Sequence, residues 1–341
     1  RKGRGSSMID RKHLTTQLIS MMSYKRPAYS VSETEFANKF LSPVFGEPDG
    51  HGNFICVVGQ KPSVLFASHY DTVHKTPGTQ SVVMDKTTGI LSKGDFDGEC
   101  LGADCTTGIW LQLEMIRQGV EGVYVCHAAE EIGGIGSRGL VTDQTNYDNH
   151  LSNLNNTPWL SDIDAVISFD RFGTNSIITH QSTMRTCSDY FGYSLSTILL
   201  GQKDGWSLNL DTFGSYTDSM EYAGIVPECT NLSVGYFNQH TPRETQDVFF
   251  ALDLLEKLIQ ADWGALEIER EPTPLDTWGN YSDGVLEDYE RLEVEAIQRL
   301  IVDYPTKLAE MLYDLDIDLE VLVEHLNLDY YQVDYYRKRV L

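Results

Sequence analysis

Five short motifs contain residues that could bind metal ions or transfer protons: SHYDTV (68–73), GADCTTG (102–108), AEEIGGIGS (129–137), SFDRFG (168–173) and QHTP (239–242). Histidine nitrogen and carboxylate oxygen atoms are the usual ligands of Zn²⁺ and similar dications. A carboxylate that is not a ligand can serve as a general base. Metal ligands and a carboxylate base together are what a two-metal hydrolytic centre needs. The residues of this kind are His69, Asp71, Asp104, Glu130, Glu131, Asp170 and His240.

The motifs lie next to predicted strands and helices, which would bring them together in space. Asp104 comes shortly before a predicted helix, Ile109–Arg117. The carboxyl ends of parallel strands meet at one edge of an open α/β sheet, where binding sites usually form. We therefore expect the polar residues to converge at that edge. The sequence predicts four strands, each followed by one of the remaining motifs: Val64–Ser68, Val123–Ala128, Ala165–Phe169 and Leu232–Tyr236.

The alternation of strands and helices predicts an α/β fold, a three-layer sandwich with a mixed, largely parallel central sheet. Asn53–Val58 and Val64–Ser68 are separated by a short turn sequence and are predicted to pair as a hairpin. Ser32 and Glu35 predict a capping box at the start of an early helix. An amphipathic helix, Thr245–Asp262, is expected to close this domain.

Composition excludes several classes of protein. The chain has 341 residues, 50 acidic against 26 basic, and a formal net charge of −24. Such a charge repels nucleic acid and anionic membranes but suits metal cations. No apolar run reaches the roughly 18 residues that a membrane span needs. The cysteines are scattered without a CxxC pair, which indicates reduced thiols and a cytoplasmic protein.

The five motifs, in this order across about residues 50 to 265, resemble those of the co-catalytic zinc exopeptidases. This superfamily includes leucyl-type aminopeptidases, glutamate carboxypeptidases and related deacylases. The resemblance implies a zinc exopeptidase-like fold and two divalent metal ions, with zinc favoured and manganese or cobalt also compatible.

The resemblance also implies a role for each of the seven residues. His69 and Asp170 would bind one metal, Glu131 and His240 the other, and Asp104 would bridge the two. Asp71 would hold the tautomer of the His69 ring. Glu130 would be the general base that activates the attacking water and then protonates the leaving amine.

Two features of the sequence depart from the family pattern. Relatives of the aminopeptidase kind commonly have a second Asp after the bridging one, where this chain has Cys105. Cys105 could be a soft ligand, a redox-sensitive group or a small buried filler, of which we favour the filler. The interval from Asp170 to His240 is also too short for the lid domain of some relatives. We therefore expect a lidless chain, for which a dimer is not required and a homo-oligomer remains open.

Other residues near the motifs have simpler interpretations. His74, His127 and His180 are expected to be structural or surface histidines, although His180 follows a strand and could contact substrate. Arg171 follows Asp170 and is expected to form a salt bridge, the alternative being a clamp for a substrate carboxylate.

Four segments are predicted along the chain. Residues 1–7 (RKGRGSS) have the character of an expression-vector remnant and are left out of the fold. Residues 8–271 would form the metallohydrolase domain, and residues 272–284, rich in Pro, Asp and Gly, a linker. Residues 285–341 form an acidic segment of helical pattern. Packing or oligomerisation is its expected role, ahead of a protein partner or DNA.

The leading functional hypothesis is a metal-dependent hydrolase that cleaves an amide bond of a small peptide or an N-acyl amino acid. The first alternative is a non-catalytic binding or regulatory protein on the same fold. A DNA-linked regulator acting through the tail is the second. The complete set of ligand types favours the enzyme, because a decayed site would be expected to lose some of them.

Overall fold

The computed structural model describes residues 10–94, 97–145, 159–182, 184–200 and 207–272. The chain divides into two units, residues 1–280 and 281–341. All of the second unit lies outside the described residues, as do residues 1–7 and all of the predicted linker except Pro272. The proposed domain limits therefore remain predictions. None of the described helices is long and apolar enough to cross a membrane.

The described residues form helices of three types. A π-helical turn, Ala37–Leu41, connects α2 with α3, and 3₁₀ turns occur at Leu160–Asp162, Asp218–Tyr222 and Trp263–Ala265. The α-helices are α1 (Arg11–Met22), α2 (Val31–Phe36), α3 (Ser42–Phe45), α4 (Ala103–Arg117), α5 (Ile135–Thr145), α6 (Asp189–Leu200) and α7 (Val248–Gln260).

The strands of the described residues belong to one large and three small sheets. They are β1 (Tyr24–Lys25), β2 (Phe54–Val58), β3 (Val64–His69), β4 (Gly78–Thr79), β5 (Val82–Met84), β6 (Ile90–Lys93), β7 (Gly122–His127), β8 (Ala165–Arg171), β9 (Ser176–Ile178), β10 (His180–Gln181), β11 (Met184–Arg185), β12 (Asn209–Asp211), β13 (Glu228–Ser233), β14 (Tyr236–Phe237) and β15 (Thr245–Asp247).

The central sheet has seven strands in the order β12-β9-β13-β8-β3-β7-β2. The pairs β12–β9, β13–β8, β8–β3 and β3–β7 are parallel, whereas β13–β9 and β7–β2 are antiparallel. A second sheet, β14-β15-β6-β5, is antiparallel throughout. The predicted mixed, largely parallel sheet is thus confirmed.

Helices cover both faces of the central sheet and create two hydrophobic cores. The larger core contains buried residues of α1, α4, α6 and α7, such as Leu18, Trp110 and Leu255. The smaller core, on the other face, contains Leu140 of α5 and Tyr222 of the 3₁₀ turn. Strands β3 and β7 are buried along their whole length, as expected for strands covered on both faces. The three layers are therefore those predicted.

The segment between Asp170 and His240 belongs to this sandwich as far as it is described. It supplies β9, β12 and β13 to the central sheet, and α6 packs on the sheet through Phe191 and Leu195. This arrangement agrees with the expectation of a chain without a lid domain.

The predicted hairpin of residues 53–58 and 64–68 is wrong. Strand β2 pairs antiparallel with β7, with Phe54 opposite Cys126, and β7 lies between β2 and β3. The turn sequence does reverse the chain, because β2 runs antiparallel and β3 parallel to β7. A local turn signal cannot show that a strand from later in the sequence will insert between its two arms.

The predicted capping box was displaced by two residues. Helix α2 begins at Val31, and its N-cap is Ser30, whose hydroxyl accepts a hydrogen bond from the N–H of Glu33 at 3.2 Å. The Glu33 carboxylate reaches back to the N–H of Tyr29 at 2.6 Å. Ser30 and Glu33 have the same spacing as Ser32 and Glu35, so the pattern alone did not identify the correct pair.

Two predicted elements near the end of the domain are divided in the structure. The predicted strand Leu232–Tyr236 is split, since β13 ends at Ser233 and Tyr236 belongs to β14 in the second sheet. Gly235 has φ +93°, a conformation that ends the strand and turns the chain. The predicted helix Thr245–Asp262 likewise begins as strand β15, and α7 starts only at Val248.

Candidate metal centre

The carboxyl edge of the central sheet carries the predicted site. Strand β3 ends at His69, which lies beside His127 at the end of β7. Asp170 lies near the end of β8, and Asp104 precedes the regular part of α4. His240 follows β14 in a turn in which its own φ is +60°. All seven predicted residues belong to the described part of the chain.

Asp104, Glu131 and His240 form one group of possible metal ligands, whose ligand atoms lie within 4.8 Å of one another. The Nε2 atom of His240 is 3.1 Å from Oδ2 of Asp104 and 3.2 Å from Oε1 of Glu131. The ring of His240 is 47% exposed, whereas the side chains of Asp104 and Glu131 are 10% and 9% exposed. This group therefore has one side open to solvent.

His69 faces the other oxygen of Asp104 and also lies close to Asp170. The Nε2 atom of His69 is 3.1 Å from Oδ1 of Asp104 and 3.5 Å from Oδ1 of Asp170. Asp104 thus presents one carboxylate oxygen to each histidine. Although burial acts against it, the hydrogen bonds from His240 and His69 lower the pKa of Asp104. The carboxylate is therefore held in its charged form between the two histidines.

Asp71 connects two parts of the site. Its Oδ1 and Oδ2 accept hydrogen bonds from the N–H groups of Glu130 and Glu131, at 3.0 and 3.1 Å. Its Oδ1 is also 3.3 Å from Nδ1 of His69, and its own carbonyl oxygen is 3.1 Å from that nitrogen. Acceptors on this side keep a proton on Nδ1, so Nε2, which donates to Asp104, is the nitrogen that would exchange its proton for a cation.

Glu130 and Glu131 are neighbours in sequence but differ in their surroundings. Glu131 lies beside His240, with its Oε1 atom 3.2 Å from Nε2 of that ring. Burial, together with the charges of Asp218 and Asp170, raises the pKa of Glu130 to about 10. Glu130 also lies close to His69, since the two residues and Glu131 form a further group with ligand atoms within 4.8 Å.

Cys105 is fully buried beside the site. Its Sγ atom lies within 4.8 Å of the ligand atoms of His69 and Asp170. The thiol nevertheless donates a hydrogen bond to the carbonyl oxygen of Phe169 at 3.1 Å, and burial raises its pKa well above the ordinary value. Both observations favour a neutral thiol at this position.

Three residues at the site were not identified from the sequence. Thr217 donates to Oδ2 of Asp170 at 2.7 Å. Asp218 is fully buried, neither of its oxygens has a hydrogen-bond partner among the described residues, and burial raises its pKa to about 8. Glu244 accepts hydrogen bonds from the backbone on either side of Ala103. The only available signal in the sequence was weak, namely that Glu244 lies close to His240.

Two other histidines near the motifs, His74 and His127, have structural partners, as expected. His74 is buried between Thr72 and the carbonyl oxygen of Cys100, and His127 between Asn53 and Tyr222. Burial lowers the pKa of both rings, which keeps them neutral.

Two further residues that the sequence left open also have partners. His180 is half-buried with Nδ1 at 2.9 Å from the Thr179 hydroxyl. Arg171 forms the expected salt bridge, to Asp211 at 3.2 Å.

The donor set fits divalent cations. Oε1 of Glu131 and Oδ1 of Asp170 are buried and have no hydrogen-bond partner among the described residues. The hydrogen bond to Asp104, together with the charge of the adjacent Glu131, raises the pKa of His240 to about 11. A buried group with more carboxylates than imidazoles is stabilised by added positive charge, and mixed histidine and carboxylate ligands suit zinc and related dications.

Comparison with known proteins gives matches among solved structures alone. No protein-family model matches the chain, and no curated protein matches it. Aminopeptidase PepT from Bacillus cereus ATCC 10987 matches with a TM-score of 0.57 and 15% identity, over 74% of this chain and 98% of that one. A tripeptidase from Staphylococcus aureus subsp. aureus Mu50 matches with a TM-score of 0.54 and 15% identity, also over 74% and 98%.

A third solved structure is the TET1 peptidase of Pyrococcus horikoshii, which can assemble into a tetrahedron or a large octahedral shell. It matches with a TM-score of 0.50 and 14% identity, over 74% of this chain and all of that one. At such low identities a structural likeness establishes the fold. This chain therefore has the fold of these peptidases.

Proposed function

We propose that the protein is a metal-dependent hydrolase of the aminopeptidase kind, which cleaves an amide bond of a small peptide with the help of two divalent cations. The observation that carries this proposal is the position of Asp104. Its two oxygens face the histidines of two different ligand groups, each at 3.1 Å. One carboxylate shared in this way is the arrangement that a two-metal centre requires.

The proposed ligands follow from these groups. His69 and Asp170 would hold one cation, Glu131 and His240 the other, with Asp104 between them. When bound, the cations would polarise the scissile carbonyl group and lower the pKa of water. Zinc is the favoured metal, and manganese or cobalt would also suit this ligand set.

The chain's own residues supply the proton transfers. Glu130 takes a proton from the attacking water and delivers it to the nitrogen of the leaving amine. Asp71 orients this step, because it holds the backbone of Glu130 and the ring of His69 at the same time. Burial and the charges of Asp218 and Asp170 raise the proton affinity of Glu130, which suits a group that must accept a proton from water.

The charge of the site favours substrates with a free amino group. The proposed centre is rich in carboxylates, which attract an α-ammonium group and repel a substrate carboxylate. Arg243, which follows the QHTP motif, is exposed. Two other arginines next to the motifs, Arg171 and Arg138, pair with Asp211 and Glu221 at 3.2 and 2.9 Å. Neither is placed as a dedicated clamp for a substrate carboxylate. We therefore favour peptides over N-acyl amino acids as substrates.

Two further properties belong to this proposal. Self-association is proposed because the TET1 peptidase, which has this fold, assembles into large shells. A reducing, cytoplasmic location is proposed because all six cysteines are free thiols. Light scattering of the full chain tests the first of these.

The decisive experiment combines metal analysis with an activity panel. The purified protein is assayed for bound metal and for turnover of aminoacyl-anilides and N-acyl amino acids, with added zinc, manganese or cobalt. We expect two dications per chain and release of the aminoacyl group. His240→Ala should hold fewer metals and be inactive, whereas His13→Ala, which removes an exposed imidazole on α1, should behave like the wild type. Two bound metals without turnover of any substrate would instead favour a non-catalytic binding protein.

A further inference from the structure

We propose that Glu244 is a positioning residue of the metal centre, which holds the segment of Asp104 in place relative to the turn of His240. The inference rests on the proposed function, because it concerns the ligands named there. Among the described residues, Glu244 forms no hydrogen bond with His69 or His240. It would act through the backbone of Asp104.

The carboxylate of Glu244 uses both oxygens on the segment that carries Asp104. Its Oε2 accepts from the N–H of Gly102 at 2.6 Å, and its Oε1 accepts from the N–H of Asp104 at 3.1 Å. The Glu244 side chain is buried, with an exposed fraction of 1%. Two charge-assisted hydrogen bonds that the backbone donates to one buried carboxylate fix both the position and the orientation of this segment.

The second segment that Glu244 holds is its own, the turn that carries His240. Asn238 and His240 both have positive φ values, +57° and +60°, in a turn where the N–H of Glu244 donates to the carbonyl oxygen of Thr241 at 3.1 Å. Strand β15 begins immediately after Glu244 and pairs with β6 and β14. Glu244 is thus anchored at the base of the same turn that presents His240.

The spacing between Asp104 and His240 depends on this anchor. The two residues are far apart in sequence, yet Nε2 of His240 must remain 3.1 Å from Oδ2 of Asp104. A displacement of either segment by a fraction of an ångström changes the distance between the ligands of the second cation. Glu244 is the described side chain that hydrogen-bonds the backbone of Asp104 from the His240 turn.

The chemistry of the acceptor explains why a glutamate occurs here. Burying a carboxylate close to Asp104 is costly, and burial with the charge of Asp104 raises the pKa of Glu244 to about 7. A glutamine would be neutral but would offer one acceptor oxygen and one NH₂ group. That NH₂ would face a backbone N–H, and a buried donor would be left without an acceptor.

Glu228 provides a matched control with the same chemistry at a distance from the site. It is fully buried and accepts hydrogen bonds from the backbone N–H groups of Ser188, Glu269 and Arg270, at 2.7, 2.9 and 2.8 Å. It lies at the amino end of β13, whereas the metal centre lies at the carboxyl edge of the sheet. Glu228→Gln should therefore lower stability without affecting metal binding.

The test compares Glu244→Gln and Glu228→Gln in the full chain. Zn²⁺ affinity is measured by competition with a chelator, and the thermal stability of the metal-free proteins is measured alongside. We expect both variants to lose stability. Only Glu244→Gln should also bind its weaker cation about 10–100-fold less tightly, because losing a group that orients a metal ligand usually lowers the affinity by that much. Glu244→Asp, which keeps the charge but is shorter, should show the same defect to a smaller degree and remains informative if Glu244→Gln does not fold.

Three results would overturn the inference. These are wild-type Zn²⁺ affinity in a folded Glu244→Gln, wild-type affinity in Glu244→Asp when Glu244→Gln does not fold, or an equal loss of affinity in Glu228→Gln. A wild-type protein that binds no Zn²⁺ at all would contradict the proposed function itself. The two failures are therefore distinguishable.

Discussion

The hydroxyl of Thr217 donates a hydrogen bond to Oδ2 of Asp170 at 2.7 Å, while Oδ1 of the same carboxylate is buried without a hydrogen-bond partner among the described residues. That Oδ1 lies 3.5 Å from Nε2 of His69. Asn231 holds the backbone of Asp170 on both sides, at 2.9 and 2.8 Å. Hydrogen bonds of the chain thus orient Asp170 and leave its Oδ1 without a partner among the described residues, as the proposed cation ligand should be.

Thr217→Val should weaken one of the two metal sites. Valine keeps the shape of threonine but cannot donate to Asp170, so the carboxylate can rotate and its Oδ1 is no longer directed toward His69. We expect the affinity of one cation to fall about 10–100-fold, with the other little changed. Titration of the metal-free protein with Co²⁺ or Zn²⁺ measures both affinities. Thr217→Ser retains the hydroxyl and should bind metal like the wild type, and wild-type binding by Thr217→Val would exclude this role.

Glu130→Gln and Glu131→Gln should have different effects although the residues are adjacent. Asp71 holds both backbone N–H groups, so each substitution changes the side chain alone. Glu130→Gln should keep both metals and lower kcat about 10²–10⁴-fold, because glutamine cannot accept the proton. Glu131→Gln should lose affinity for one metal, with part of the rate restored by added metal. Metal content and kcat are measured for both variants side by side.

The opposite pattern would show that the two roles are exchanged. If Glu130→Gln loses metal and Glu131→Gln keeps it, Glu130 is the ligand. A fully active Glu130→Gln would contradict the hydrolytic mechanism proposed above.

Cys105 should not bind the metal directly. Its thiol donates a hydrogen bond to the carbonyl oxygen of Phe169 and therefore keeps its proton. The thiolate, not the thiol, is the form of cysteine that binds metals. The protein loaded with Co²⁺ should therefore lack the near-ultraviolet absorption of a thiolate–cobalt bond, and Cys105→Ser should have the same spectrum. An intense band that disappears in Cys105→Ser would identify Cys105 as a soft ligand instead of a filler.

Truncation after Asn280 should leave a folded and metal-binding protein. All seven proposed site residues precede residue 241, and the chain divides into units at residue 280. We expect the shortened protein to be soluble, to unfold cooperatively and to bind two cations, as measured by thermal denaturation and metal analysis. Insolubility or loss of both metals would show that the domain extends into residues 281–341.

The sequence by itself determined which residues would meet and at which edge of the fold. His69, Glu130 and Asp170 each come at or just after the end of a predicted strand, and those strands are parallel in the structure. Hydrophobic runs specify strands locally, and a parallel sheet then places their carboxyl ends side by side. For this reason the edge carrying the site could be predicted, although the strand order could not.

Only the tertiary structure decided how those residues are held. Thr217 reaches Asp170 across 47 positions of sequence, and Glu244 reaches Asp104 across 140. Strand β2 pairs with β7 and not with β3, which is the partner that the turn sequence between them indicated. Such contacts carry no local signal, since any threonine or glutamate has the same propensity whether or not it will meet a distant backbone group. They arise when packing of the two cores brings the segments together, because a buried donor or acceptor must then find a partner.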